Sequence, residues 1–88
     1  MSDDEALLAL LGAVRDGDDA DEPMDSDTLS RRLGWSATDV ASRLTSARAR
    51  MLIWGARVGG SPAPRFVDLE LTVQGRRFMA AAMTPRDG

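Results

Sequence analysis

The stretch Leu29-Ser30-Arg31-Arg32-Leu33-Gly34-Trp35-Ser36-Ala37-Thr38-Asp39-Val40-Ala41-Ser42-Arg43-Leu44 decides the fold. Leu29 and Leu33 stand four residues apart and share one face of a short helix expected over residues 27–33. Gly34-Trp35-Ser36 then reads as a turn. The Ser36 hydroxyl is placed to cap the following helix, with Asp39 three residues on as a shortened capping-box partner. In that third helix Val40, Leu44, Ala47 and Met51 follow at spacings of four, three and four, which makes them a core-facing stripe.

Upstream, Ser2-Asp3-Asp4-Glu5 has the form of a capping box, and Leu7, Leu10, Leu11 and Val14 recur at helical spacing. A first helix is expected over about residues 3–15, ending near Gly17. Residues 16–26 (DGDDADEPMDS) are charged, aperiodic and broken by Gly17 and Pro23. They are expected to form an acidic flexible loop, dispensable for folding, with Met24 its one apolar side chain of any size.

Downstream, the period falls to two. Leu52, Trp54, Ala56 and Val58 alternate with their neighbours, Gly59-Gly60-Ser61-Pro62-Ala63-Pro64 interrupts, and Val67, Leu69 and Leu71 alternate again with Asp68 and Glu70 between them. Two such runs around a Gly/Pro connection predict a hairpin with a floppy tip. Thr72 is placed to cap a fourth helix carrying Phe78, Met79, Ala82 and Met83 along one edge, with Pro85 as its stop and residues 85–88 as a frayed tail. A lone hairpin is marginal in water, so it must pack on the helices. The expected architecture is a single α+β domain, mostly α, over residues 1–88: a three-helix core, a two-stranded β hairpin and a C-terminal helix. Its core is expected to contain Leu7, Leu11, Leu29, Leu33, Val40, Leu44, Leu52, Val67, Leu69 and Phe78. Trp35 and Trp54 fall at apolar positions of their patterns and are expected inside. Phe66 shares a strand face with Asp68 and Glu70 and is expected outside, where a protein partner could use it.

Three stretches resemble the winged helix-turn-helix family, especially its small MarR-like regulator domains. Residues 29–44 resemble that family's L-(A/S)-x-x-L-G-h-S-x-x-x-V-(S)-x-x-L pattern, h being apolar. Met51-Leu52-Ile53-Trp54-Gly55 is similar to the strand after the recognition helix, and Leu71-Thr72-Val73-Gln74-Gly75-Arg76 to the L-T-x-x-G-(R/K) that ends the wing. The resemblance covers most of residues 27–83 and implies a DNA-binding domain that regulates transcription or assists a regulator. Two departures stand out. The wing tip carries no charge, and only helices 1 and 4 are available for the dimerisation that family members achieve with long added helices.

The residues themselves point the same way. At about 100° per residue, the face of helix 3 opposite its apolar stripe holds Thr38, Ser42, Thr45, Ser46 and Ala49, with Arg43 and Arg50 along one edge and Arg48 on the other. Small hydroxyl residues flanked by arginine suit a helix that enters a major groove and reaches base edges or phosphates. The plainer alternative is an exposed helix kept soluble by small side chains, with Asp39 pairing to Arg43 four residues on. Arg57 and Arg65 flank the wing and could meet a phosphate backbone; equally, they could be ordinary charges guarding a strand edge. Arg31 and Arg32 on helix 2 are candidate phosphate contacts.

Charge is split along the chain. Residues 1–27 hold ten acids against Arg15, a net −9; residues 28–88 hold ten arginines against four acids, a net +6. The overall −3 hides this asymmetry. All eleven basic residues are arginine, and histidine, cysteine and tyrosine are missing with lysine. The side chains on which acid–base and covalent catalysis lean are therefore absent, and an enzyme is not expected. Without cysteine there is neither disulfide nor thiolate metal site. The acidic loop also fails as an EF-hand, since Ala20 and Asp21 stand where a ligand and a glycine belong. No cofactor or metal is expected.

The acidic N-terminus lacks the basic start of a signal peptide, and no apolar run is long enough for a membrane, so a cytoplasmic protein is expected. Two functions remain. The first is double-stranded DNA binding through Arg31, Arg32, Thr38, Ser42, Arg43, Thr45, Ser46, Arg50, Arg57 and Arg65, with a homodimer through helices 1 and 4. The second is a protein–protein interaction module without DNA binding, using the acidic segment or the Phe66 face.

Overall fold

The computed structural model describes residues 3–59 and 64–83. The chain runs α1 (Asp3–Asp19), α2 (Ser26–Leu33), α3 (Ala37–Ala49), β1 (Ile53–Val58), β2 (Arg65–Leu71) and α4 (Val73–Met83). Four helices and one two-stranded antiparallel sheet make it an α+β fold, mostly helical. The expected capping box at Ser2, the hairpin tip and the C-terminal tail lie outside the described residues. Among those described, no helix is long and apolar enough to cross a membrane.

Polar caps open the helices. Asp25 accepts the Thr28 amide at 2.7 Å and starts α2; Ser36 Oγ accepts the Asp39 amide at 3.1 Å and starts α3. Thr72 Oγ1 accepts the Gly75 amide at 2.8 Å at the head of α4 and donates to the Met51 carbonyl at 2.7 Å. The first three helices each stop at a left-handed residue: Asp21 (φ 55°), Gly34 (φ 69°) and Met51 (φ 59°). After α1 the Asp21 amide bonds to Asp18 O and the Glu22 amide to Gly17 O. After α3 the Met51 amide bonds to Arg48 O and the Leu52 amide to Ala47 O. Both pairs are Schellman closures, made here without the usual glycine.

Two expectations near these ends need correction. α1 passes straight through Gly17 because this glycine is a packing position: a β-carbon there would press on the Met24 side chain at 2.7 Å. The acidic segment is thus helical to Asp19, and it is anchored. Met24 is 1% exposed, and its carbonyl accepts the Leu69 amide at 3.0 Å. Met51 does not extend the α3 stripe. Its left-handed backbone turns it out of helical phase, and it is 54% exposed.

The hairpin holds the larger surprise. Ile53 pairs with Leu71 and Trp54 with Glu70, but beyond Gly55 the register slips, and Ala56 pairs with Val67, Arg57 with Phe66 and Val58 with Arg65. Asp68 and Leu69 together oppose Gly55, a bulge carried by Asp68 at φ 55°. One extra residue inverts the alternation, so Phe66 joins Leu69 and Leu71 on the core face and is 1% exposed. A strict period of two had placed it outside. On β1 the core face belongs to Ile53, and Trp54 is 56% exposed instead of buried.

The core gathers Leu7, Leu10, Leu11 and Val14 of α1, Met24, Leu29, the α3 stripe of Val40, Leu44 and Ala47, then Leu52, Ile53, Phe66, Leu69, Leu71 and Met79. Leu33, Trp35 and Phe78, expected inside, are half-buried against it; Val67, also expected inside, is half-buried on the outer face, where the bulge pairs it with Ala56. Three bonds from outside the sheet hold the free edge of β2. The Leu71 amide donates to Asp18 Oδ2 (2.8 Å), the Leu69 amide to Met24 O (3.0 Å) and the Phe66 amide to Ser26 Oγ (3.1 Å).

Candidate functional site

With Val40, Leu44 and Ala47 turned into the core, α3 presents Thr38, Ser42, Thr45, Ser46 and Ala49 to solvent. A groove runs along each flank of this exposed ridge. The first, about 420 Å³, lies against α1 and is lined by Asp4 and Leu7 with Asp39, Ser42, Arg43, Ser46 and Arg50. The second, about 270 Å³, lies against the hairpin and is lined by Thr45, Arg48, Ala49, Arg57 and Phe66. Arg57 reaches it because cross-strand partners share a face, and its partner Phe66 points inward.

The arginines are positioned by their neighbours. The Arg43 guanidinium lies 5.6 Å from the Trp35 ring centroid, and that of Arg50 lies 5.1 Å from the Phe78 ring. Aromatic faces of this kind hold a guanidinium in place. Thr45 Oγ1 donates to the Ala41 carbonyl at 2.8 Å, so it offers only acceptor capacity outward. No buried side-chain polar atom among the described residues lacks a hydrogen-bond partner.

The structure therefore collects Ser42, Arg43, Ser46 and Arg50 in one groove and Thr45 and Arg57 in the other, with Thr38 exposed on the first turn of α3. Three arginines stand apart. Arg65 points to α2, where it pairs with Asp27 at 2.7 Å. Arg31 and Arg32 are exposed on α2, Arg31 within 3.4 Å of the Thr28 hydroxyl. Arg48, outside the set singled out from sequence, lines the hairpin groove. Helical phase puts it on the edge of α3 opposite Arg43 and Arg50, and that edge is the one facing the hairpin. Asp4 was missed, and Asp39 reads from sequence only as a cap partner and a mate for Arg43. They place carboxylates in the α1 groove and make it the less favourable of the two for an anion.

A third groove, of about 540 Å³, lies between the end of α1 and the β2 bulge. Asp18, Asp21, Glu22, Asp68 and Glu70 surround Arg76 there, and Arg76 pairs with Asp18 and Asp19 at 3.7 and 3.6 Å. Among the described residues no three acidic side chains converge as a metal ion would require. The fold thus keeps the carboxylates of the acidic segment and the arginine-lined α3–hairpin groove on separate elements. No protein-family model, curated protein or solved structure matches this chain.

Proposed function

We propose that this chain is a winged-helix DNA-binding domain, with α3 as the recognition helix and the β1–β2 hairpin as the wing. The observation that carries the reading is the hairpin groove. It is lined by Thr45, Arg48 and Ala49 from α3 and by Arg57 and Phe66 from the hairpin, with no carboxylate among them. A duplex whose major groove takes the Thr38–Ser42–Ala49 ridge would bring its phosphates against those two arginines. Arg43 and Arg50, stacked on Trp35 and Phe78, would meet the opposite strand. Arg31 and Arg32 would extend the contact along α2. Arg65 is already engaged by Asp27 and would contribute only by releasing it.

The test is duplex binding across a salt series for the wild type and for Arg48→Ala, Arg57→Ala and Arg43→Ala, with unfolding followed alongside. A lost phosphate contact weakens all sequences alike and flattens the log–log salt slope by about one. A lost guanine contact costs ~1–3 kcal/mol at one base position only. No duplex binding by the wild type at low salt would overturn the reading. Binding indifferent to all three substitutions would move the interface elsewhere. The alternative of a protein-interaction module loses one of its two surfaces, because Phe66 is buried.

A further inference from the structure

The two edges of the small sheet are treated differently. Along β2, the amides of Phe66, Leu69 and Leu71 are all taken by α2, the preceding segment and α1, as described above. Along β1, the edge facing away from β2 has no hydrogen-bond partner among the described residues, since the sheet ends there. Natural sheets blunt such edges with prolines, lysines or inward charges. β1 has neither proline nor lysine, and its one inward charge, Arg57, is turned into the α3 groove and away from the outer face. Instead, two of the exposed large apolar side chains, Trp54 and Val58, stand on its outer face. A third, Met51, lies at its foot, where Thr72 is bonded to the Met51 carbonyl. Exposed apolar side chains are ordinary one by one; a row of them beside an unpaired backbone edge is not.

We infer that β1 pairs antiparallel with β1 of a second copy of this chain, joining two hairpins into one four-stranded sheet. The strand is self-complementary about Ala56. A two-fold axis there sets Trp54 against Val58 of the second copy, Ala56 against Ala56, and Val58 against Trp54, which repeats an aromatic–β-branched pair on the outer face. On the inner face the same register sets Arg57 against Gly55 of the second copy. A slip by two residues one way would oppose Arg57 to Arg57, and a slip by two the other way would set Trp54 against Ala56 and give up the Trp54–Val58 pair. A six-residue strand is about 20 Å long, and pairing over that length covers less than the ~800 Å² per partner of a standard interface. The association is accordingly weak and depends on concentration. It does not rest on DNA binding: its basis is the unpaired β1 edge and the outer-face row of Trp54 and Val58, and the groove residue Arg57 only borders the seam.

The experiment is sedimentation equilibrium of the full chain from about 10 μM to 1 mM, beside thermal melts. The wild type should show a monomer–dimer equilibrium. Trp54→Lys, whose lysine would face Glu70 across the strand, and Val58→Glu, whose glutamate would face Arg65, keep the monomer's own charges compatible. Each should weaken association at least tenfold without lowering the melting temperature. The double variant opposes lysine to glutamate in the stated register and should recover association relative to either single. Ala81→Glu on the exposed side of α4 should leave it unchanged. A wild type that stays monomeric at 1 mM would overturn the inference, as would a dimer indifferent to both β1 substitutions. Association lost on Ala81→Glu would place the contact on the helices, and a double variant no better than the singles would refute the register.

Discussion

Asp25 shows how one carboxylate can set the start of an element. The backbone amide of Thr28 donates to it, and this bond, more than the nearby Arg31 and Arg65, holds its carboxyl below the ordinary carboxylate range against the opposing effect of partial burial. A folded-state pKa below the unfolded one contributes stability that is complete above the unfolded value, near 4, and fades as pH falls through the folded one. Asp25→Ala should therefore cost ~0.5–2 kcal/mol at pH 7, with a smaller penalty at pH 3, and urea unfolding at the two pH values checks both. Thr72 and Gly75 give a second case. Thr72 ties the α4 amide at Gly75 to the Met51 carbonyl, and a β-carbon on Gly75 would run into the Leu52 carbonyl. The Leu-Thr-x-x-Gly pattern, read in sequence as the end of a wing, thus has a packing cause: it lets α4 begin directly against the foot of β1.

At the scale of elements, what was legible in sequence were features whose cause is local. The caps at Ser36 and Thr72, the turn at Gly34, the α3 stripe and the existence of both strands all follow from residues within a few positions of one another. The features that escaped have distant causes. Gly17 signals a helix stop unless Met24 is known to pack on it. Phe66 reads as exposed unless the bulge at Asp68 is known to invert the strand's phase. The acidic segment is the clearest case, because charge dominates its composition while one methionine decides its role. Met24→Ala should cost ~2–5 kcal/mol, read from chemical denaturation, where a dispensable loop would show almost no change.

For the molecule as a whole, charge separates into two surfaces, though not along the boundary between the −9 and +6 halves of the sequence. The carboxylates at the end of α1 join those of the β2 bulge around Arg76, while α3 and the inner face of the hairpin carry Arg43, Arg48, Arg50 and Arg57. A molecule polarised in this way turns in the field of a polyanion before it touches it. Asp4 and Asp39 temper this on the α1 side and leave the hairpin side as the more attractive approach.

The three bonds that hold the outer edge of β2 also bear on the order in which the chain is expected to fold. Phe66 and Ser26 are 40 residues apart, and Leu71 and Asp18 are 53 apart. Closing loops of that length loses chain entropy before any contact repays it. The pairing of α2 with α3 joins neighbours and carries no such delay. The edge is therefore expected to close after the transition state, its bonds setting how long the native state lasts more than how quickly it is reached. Asp18→Ala removes a charge-assisted acceptor worth ~1.5–3 kcal/mol. In a stopped-flow chevron it should appear almost wholly as faster unfolding, with the refolding limb unmoved. An acidic stretch that contributes few apolar side chains would then act as the latch that makes the native state persist.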